Sequence, residues 1–161
     1  MTGYADAAEM DALARRIDEW LAAIAEETPQ IAAIDRGTAD GTASGEPRWY
    51  VRMQGEEKDI TTIWLTLGQR TLRYETYVMP APEEQAEVLY EHLLRRNDRL
   101  VGAHFSIGVE DAVFLRGELF HAQVSEAELD RVLGTLYATV EQCFIGLLRI
   151  GFASRFAPSD D

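Results

Sequence analysis

Cysteine occurs once in the 161 residues, at Cys143, so neither an internal disulfide nor a cysteine-built metal cluster is possible. Lysine also occurs once, Lys58, and arginine supplies nearly all the positive charge. Against 28 acids stand 15 Lys and Arg, a net charge of −13, which repels nucleic acid and anionic membrane surfaces alike and excludes both as partners. No apolar run approaches the roughly 20 residues that a bilayer requires. The opening Met-Thr-Gly-Tyr-Ala-Asp has an acid where a secretory leader carries basic residues, so a cytoplasmic location is expected. The three histidines, His92, His104 and His121, show no metal-ligand spacing. A glycine-rich nucleotide turn is also missing, and no cofactor is expected.

What remains is the composition of one globular domain, 1–161, with 47% hydrophobic and 27% charged residues. From Ala7 to Glu27 the residues Met10, Leu13, Ile17, Trp20, Leu21 and Ile24 recur at spacings of three and four, the stripe of an amphipathic helix. Asp6 is placed to cap it, and Pro29 follows its end. A stretch rich in Gly, Thr, Asp and Ser comes next; residues 35–46 read as a mobile loop, with Ile31 to Ile34 a possible short edge strand. Three alternating runs, Arg48 to Gln54, Ile60 to Leu67 and Arg70 to Met79, are separated by short turns and predict an antiparallel meander.

A second helix is expected over Glu83 to Asn97, with acids at its start, arginines at its end and a stripe of Ala86, Leu89, Tyr90, Leu93 and Leu94. In Leu100 to Val113, apolar Ala103, Phe105, Ile107 and Val109 alternate with His104, Ser106 and Gly108 and read as a central strand. A turn at Gly108 to Asp111 and a strand from Ala112 to Phe120 follow. Ser125 to Glu128 reads as a capping box opening a long final helix, with Cys143 a small core residue on its apolar side. The tail 157–161 is expected to fray. The order is α-β-β-β-α-β-β-α, an α+β fold of two layers with an antiparallel sheet.

No catalytic constellation emerges. Glu110 and Asp111 fall in a turn, Ser125 is explained as a cap, and Ser106 and Ser154 lack a nucleophile-elbow context. Two sets of residues could bind. Strand alternation places Tyr50, Trp64, Tyr77, Phe114 and Phe120 opposite the core-forming residues, on a face that either contacts a partner or is covered by a helix. Arg95, Arg96 and Arg99 form the single basic cluster: either an anion site or charges that balance a helix end.

Several stretches resemble the YbjN-like family of actinobacteria, often labelled bacterial sensory transduction regulators. They are Tyr77-Val78-Met79-Pro80-Ala81-Pro82-Glu83-Glu84, Tyr90-Glu91-His92-Leu93-Leu94-Arg95-Arg96-Asn97, Leu100-Val101-Gly102-Ala103-His104-Phe105-Ser106-Ile107, Asp111 to Gly117, and Gly151 to Ser154. The Arg-Asn-x-x-Leu word at Arg96 to Leu100 is the most distinctive. The resemblance covers about Trp49 to Ser154 and implies a type III secretion chaperone-like fold. It also implies a homodimer that binds protein segments rather than turning over a substrate. It assigns no active-site residue. The function expected is therefore a non-enzymatic, chaperone-like protein-binding or regulatory module. The alternative is a sensor of a small molecule or phosphorylated signal, with Arg95, Arg96 and Arg99 on the anion.

Overall fold

The computed structural model describes residues 4–157; the start of the chain and most of the tail 157–161 lie outside the described residues. The elements run α1 (Ala7–Glu27), β1 (Ile31–Thr38), β2 (Pro47–Gln54), β3 (Ile60–Leu67), β4 (Thr71–Met79), α2 (Ala86–Asn97), β5 (His104–Ile107), β6 (Val113–Phe120), α3 (Glu126–Gly151) and a short α4 (Ala153–Phe156). One antiparallel six-stranded sheet has the order β1-β2-β3-β4-β6-β5. The fold is α+β.

The local rules explain most boundaries. Asp6 accepts the Glu9 amide at 2.8 Å while the Glu9 carboxylate accepts the Asp6 amide, a reciprocal cap that fixes the start of α1. At α3, Ser125 accepts the Glu128 amide, but the Glu128 carboxylate turns to Arg131, so the expected capping box is only half formed. β1 is twice as long as expected and takes in Asp35 to Thr38 from the anticipated loop. Only Ala39 to Glu46 connects the strands, and Asp40 organises it by accepting the amide and hydroxyl of Thr42.

α2 starts three residues late. The amides of Glu83 and Glu84 donate to the Gly151 carbonyl at the end of α3, and their carboxylates hold Arg155 and Ser154. That tertiary anchor replaces a first helical turn, and Gln85 turns the chain with φ 53°.

The segment expected to be central lies instead at the sheet edge. β5 is four residues long and pairs only with β6. Its alternation buries Phe105 but leaves Ile107 50% and Val109 72% exposed, because the chain leaves the sheet after Ile107 into a one-turn 3-10 helix. The middle of the sheet is β3 and β4.

All three long helices pack on one face. α3 crosses β3 and β4 and separates α1 from α2, while α2 lies along β5. Leu129, Val132, Leu136, Val140 and Leu147 of α3 meet Ile63, Leu65, Leu72, Tyr74 and Leu115 of the sheet, all fully or nearly fully buried. α1 is pinned to the β1 and β2 side by Asp18, which accepts the Trp49 indole N–H at 2.7 Å and pairs with Arg36 at 2.8 Å. The β2–β3 turn is clasped by Glu141 of α3, whose carboxylate accepts the amides of Glu56 at 3.0 Å and Glu57 at 2.9 Å. Opposite Tyr74 sits Gly117, where a Cβ would lie 2.4 Å from the tyrosine ring and 2.6 Å from the Gly102 carbonyl. That carbonyl accepts the Tyr74 hydroxyl, so glycine is required for the close approach.

Candidate functional site

Among the described residues, no helix lies over the second face of the sheet. One row of register partners crosses all six strands there, reading Asp35, Tyr50, Trp64, Glu75, Arg116 and His104. Arg116 donates to Glu75 at 2.7 Å, Arg73 pairs with Glu46 and Arg52 with Asp35. Charge of both signs therefore frames the aromatics.

Of the five aromatics expected on this face, three meet. Phe114 stands 6.3 Å from Trp64 and 5.6 Å from Tyr77, ring centroid to centroid, the second pair edge to face. Phe114 itself is only 3% exposed, closed over by its neighbours, by the Arg116 guanidinium 4.5 Å above its ring and by the turn at Gly108. It therefore lies beneath the patch rather than on its surface. Tyr77 and the half-buried Trp64 present the surface, with half-buried Tyr50 directly opposite Trp64. Phe120 is 64% exposed but stands at the far end of β6 beside Arg70, Thr71 and Glu118, away from the cluster.

Lys58 closes the other side of Tyr77. Its ammonium donates to the Tyr77 carbonyl at 2.6 Å and lies 5.3 Å from the Tyr77 ring and 5.5 Å from the Phe144 ring. Burial pushes it down to about 8.

A second surface forms where α2 meets the edge strand. Tyr90, Leu93, Leu94, Phe105 and Ile107 line a largely apolar groove of about 260 Å³, and Leu94 is 69% exposed on its rim. Asn97 closes its floor: its side-chain amide donates to the Phe105 carbonyl at 3.1 Å, and its side-chain oxygen accepts the Phe105 amide at 2.6 Å. One side chain thus satisfies both outward backbone groups of the middle of β5. Asn97 was legible only as part of the distinctive Arg-Asn-x-x-Leu word; nothing in its local pattern announces that it caps a strand.

The arginine cluster does converge. Arg95, Arg96 and Arg99 line a cavity of about 470 Å³ with His92, Leu100 and Gln142. Arg95 pairs with Glu91 at 2.8 Å, while Arg96 donates from Nε to His92 Nε2 at 3.0 Å. Burial, and secondarily the Arg96 charge, hold His92 below the usual imidazole range.

The other titratable candidates have structural partners. His121 meets the Gly68 carbonyl at 2.7 Å, Ser125 caps α3 and Ser154 holds Glu84. Glu110 and Asp111 both take positive φ in the turn after β5. Cys143 is buried in the core, and burial pushes its thiol up to about 11. Among the described residues no group of acids, histidines and cysteine has the geometry of a metal site, and no helix is long and apolar enough to cross a membrane.

Sequence relatives lie among mycobacterial proteins. An uncharacterized protein of Mycobacterium tuberculosis is 38% identical over 109 residues, 67% of this chain and 59% of that protein, so the chain spans less than two thirds of the relative's length. An uncharacterized protein of Mycobacterium leprae is 31% identical over 131 residues, 81% of this chain and 71% of its own. Among solved structures, a chain in the heterodimeric complex ExoU-SpcU from the type III secretion system of Pseudomonas aeruginosa matches at 15% identity and a TM-score of 0.45. It covers 81% of this chain and 96% of that one. The family described as "Putative bacterial sensory transduction regulator" has a sequence model that matches residues 14–148, and this chain therefore belongs to that family, YbjN.

Proposed function

We propose that the chain is a non-enzymatic, cytoplasmic protein-binding module of a regulatory kind, which pairs with a second copy of itself along α2 and β5. The observation that carries this is the apolar surface at that edge: Leu94 and Ile107 stand exposed on the groove of Tyr90 and Phe105, with exposed Val109 in the turn that follows β5, in a chain otherwise rich in solvating acid. The outward side of α2 is self-complementary. Tyr90 and Leu94 stand at its middle, with Glu87 toward the start and the Arg95–Glu91 pair beside them, so an antiparallel twofold contact sets one apolar centre on the other within a rim of both charges. Pairing there leaves both open sheet faces free, and the partner segment is held at Trp64 and Tyr77, with Tyr50 beside them.

Light scattering after gel filtration at micromolar concentration tests the pairing. A mass of twice the 18.1 kDa chain is expected, falling to one chain mass in Leu94→Arg with Ile107→Arg. A monomeric wild type overturns it. For the sheet face, Trp64→Ser with Tyr77→Ser is the informative pair, since neither side chain is in the core. A partner reconstituted from purified components should bind the wild type and lose affinity for this variant; equal affinity for both removes the sheet face from the proposal.

A further inference from the structure

The cavity at the C-terminal end of α2 shares Arg95 and Arg99 with the rim of the proposed pairing surface, while His92, Arg96, Leu100 and Gln142 belong to it alone. Its lining of His92, Arg95, Arg96, Arg99, Leu100 and Gln142 contains no carboxylate. Of the 14 arginines, seven pair with an acid. Arg96, in the last turn of α2, and Arg99, just past its end, form no such pair among the described residues, yet line the same cavity.

Helix-dipole compensation accounts for positive charge at this end, but not for how Arg96 is held. Arg96 donates its Nε to a neutral imidazole, which orients the guanidinium without cancelling its charge. This leaves its two terminal amino groups available for a fork-like contact. Arg95 has spent its charge on Glu91. The net positive charge of the cavity thus comes from Arg96 and Arg99, which suits a dianion. Gln142 of α3 adds an amide and Leu100 an apolar wall, and about 470 Å³ is more room than a bare phosphate group fills.

We propose that this cavity binds a small phosphorylated molecule, its phosphomonoester seated between Arg96 and Arg99 and its organic part against Leu100 and Gln142. Arg96 reads the phosphate through paired amino groups, and Arg99 supplies the second charge.

Isothermal titration of the full chain tests this, with inorganic phosphate, glucose 6-phosphate and adenosine monophosphate as probes. Sodium chloride at matched ionic strength, glucose and adenosine serve as controls. At least one phosphate ester is expected to bind saturably, more tightly than inorganic phosphate, and to shift the His92 imidazole resonances. Arg96→Gln with Arg99→Gln should weaken it at least tenfold, while Arg149→Gln, whose side chain lies on α3 against Phe156, leaves it unchanged. Absence of saturable binding by all three probes, or equal affinity in the double variant, overturns the proposal. Inorganic phosphate binding as tightly as both esters overturns the assignment of the organic part.

Discussion

Removing the Asn97 side chain should open the edge of the sheet. In Asn97→Ala the Phe105 amide and carbonyl lose partners at 2.6 Å and 3.1 Å, and the residue that carries them is only 5% exposed. A buried backbone group without a partner costs about 1–3 kcal/mol. Because β5 is an edge strand that water can reach after a small opening, the lower part of that range applies to each group, about 2 kcal/mol for the pair. In a domain of this size that lowers the melting temperature by about 4–8 °C, at 2–4 °C per kcal/mol. Urea unfolding followed by circular dichroism measures the loss, and hydrogen exchange locates it: the Phe105 amide should exchange much faster while core amides such as Leu65 keep their relative order. Asn97→Asp should not rescue, since its carboxylate accepts the amide but faces the Phe105 carbonyl with an oxygen. Exposed Asp98→Ala is the control and should stay within about 0.5 kcal/mol. An Asn97→Ala protein as stable as wild type, with Phe105 still protected, would refute the reasoning.

Lys58, pushed down to about 8 by burial against an unfolded value of 10.5, binds its proton less readily folded than unfolded. Below about pH 8 both states hold the proton and the fold bears the full cost of burying the charge; between there and 10.5 only the unfolded state holds it, so stability rises with pH. Wild type should gain stability over Lys58→Met as pH goes from 8 to 10 in denaturant titrations, and a constant gap contradicts the sign. Glu141→Ala frees the amides of Glu56 and Glu57, both at the surface, and should cost about 1–2 kcal/mol while accelerating exchange through the β2–β3 turn alone. Loss of protection across the whole sheet would show that the clasp does more than hold that turn.

The elements that were legible in the sequence are those whose signals are local. α1 has both ends written into it, an Asp6 and Glu9 cap and a proline just beyond, and β3 runs over the expected Ile60 to Leu67, between two short turns. The misplacements all trace to distant partners. Nothing near Glu83 and Glu84 says that the Gly151 carbonyl, far along the chain, will take their amides and delay α2. The alternation around Phe105 is the same for a central and an edge strand; what separates them is whether a strand or Asn97 fills the outer side. In β1 the polar run from Asp35 to Thr38 hides a strand, since Arg36 reaches Asp18 on α1 and Asp35 faces Arg52. Parity put Phe114 and Tyr77 on one face correctly, yet could not foresee that the turn at Gly108 folds over one ring and not the other. The arginine cluster was visible as a cluster, whereas the Gln142 wall from α3 was not.

α3, the helix that covers the middle of the sheet, is made after all six strands. When Phe120 has left the ribosome, every strand is already available and the sheet can pair in full, but Ile63, Leu65, Leu72 and Tyr74 have no cover until the residues from Leu129 to Leu147 arrive. The nascent domain therefore passes through a stage in which the sheet is complete but its middle is uncovered between α1 and α2, and the Glu141 clasp on the β2–β3 turn forms only as that stage ends.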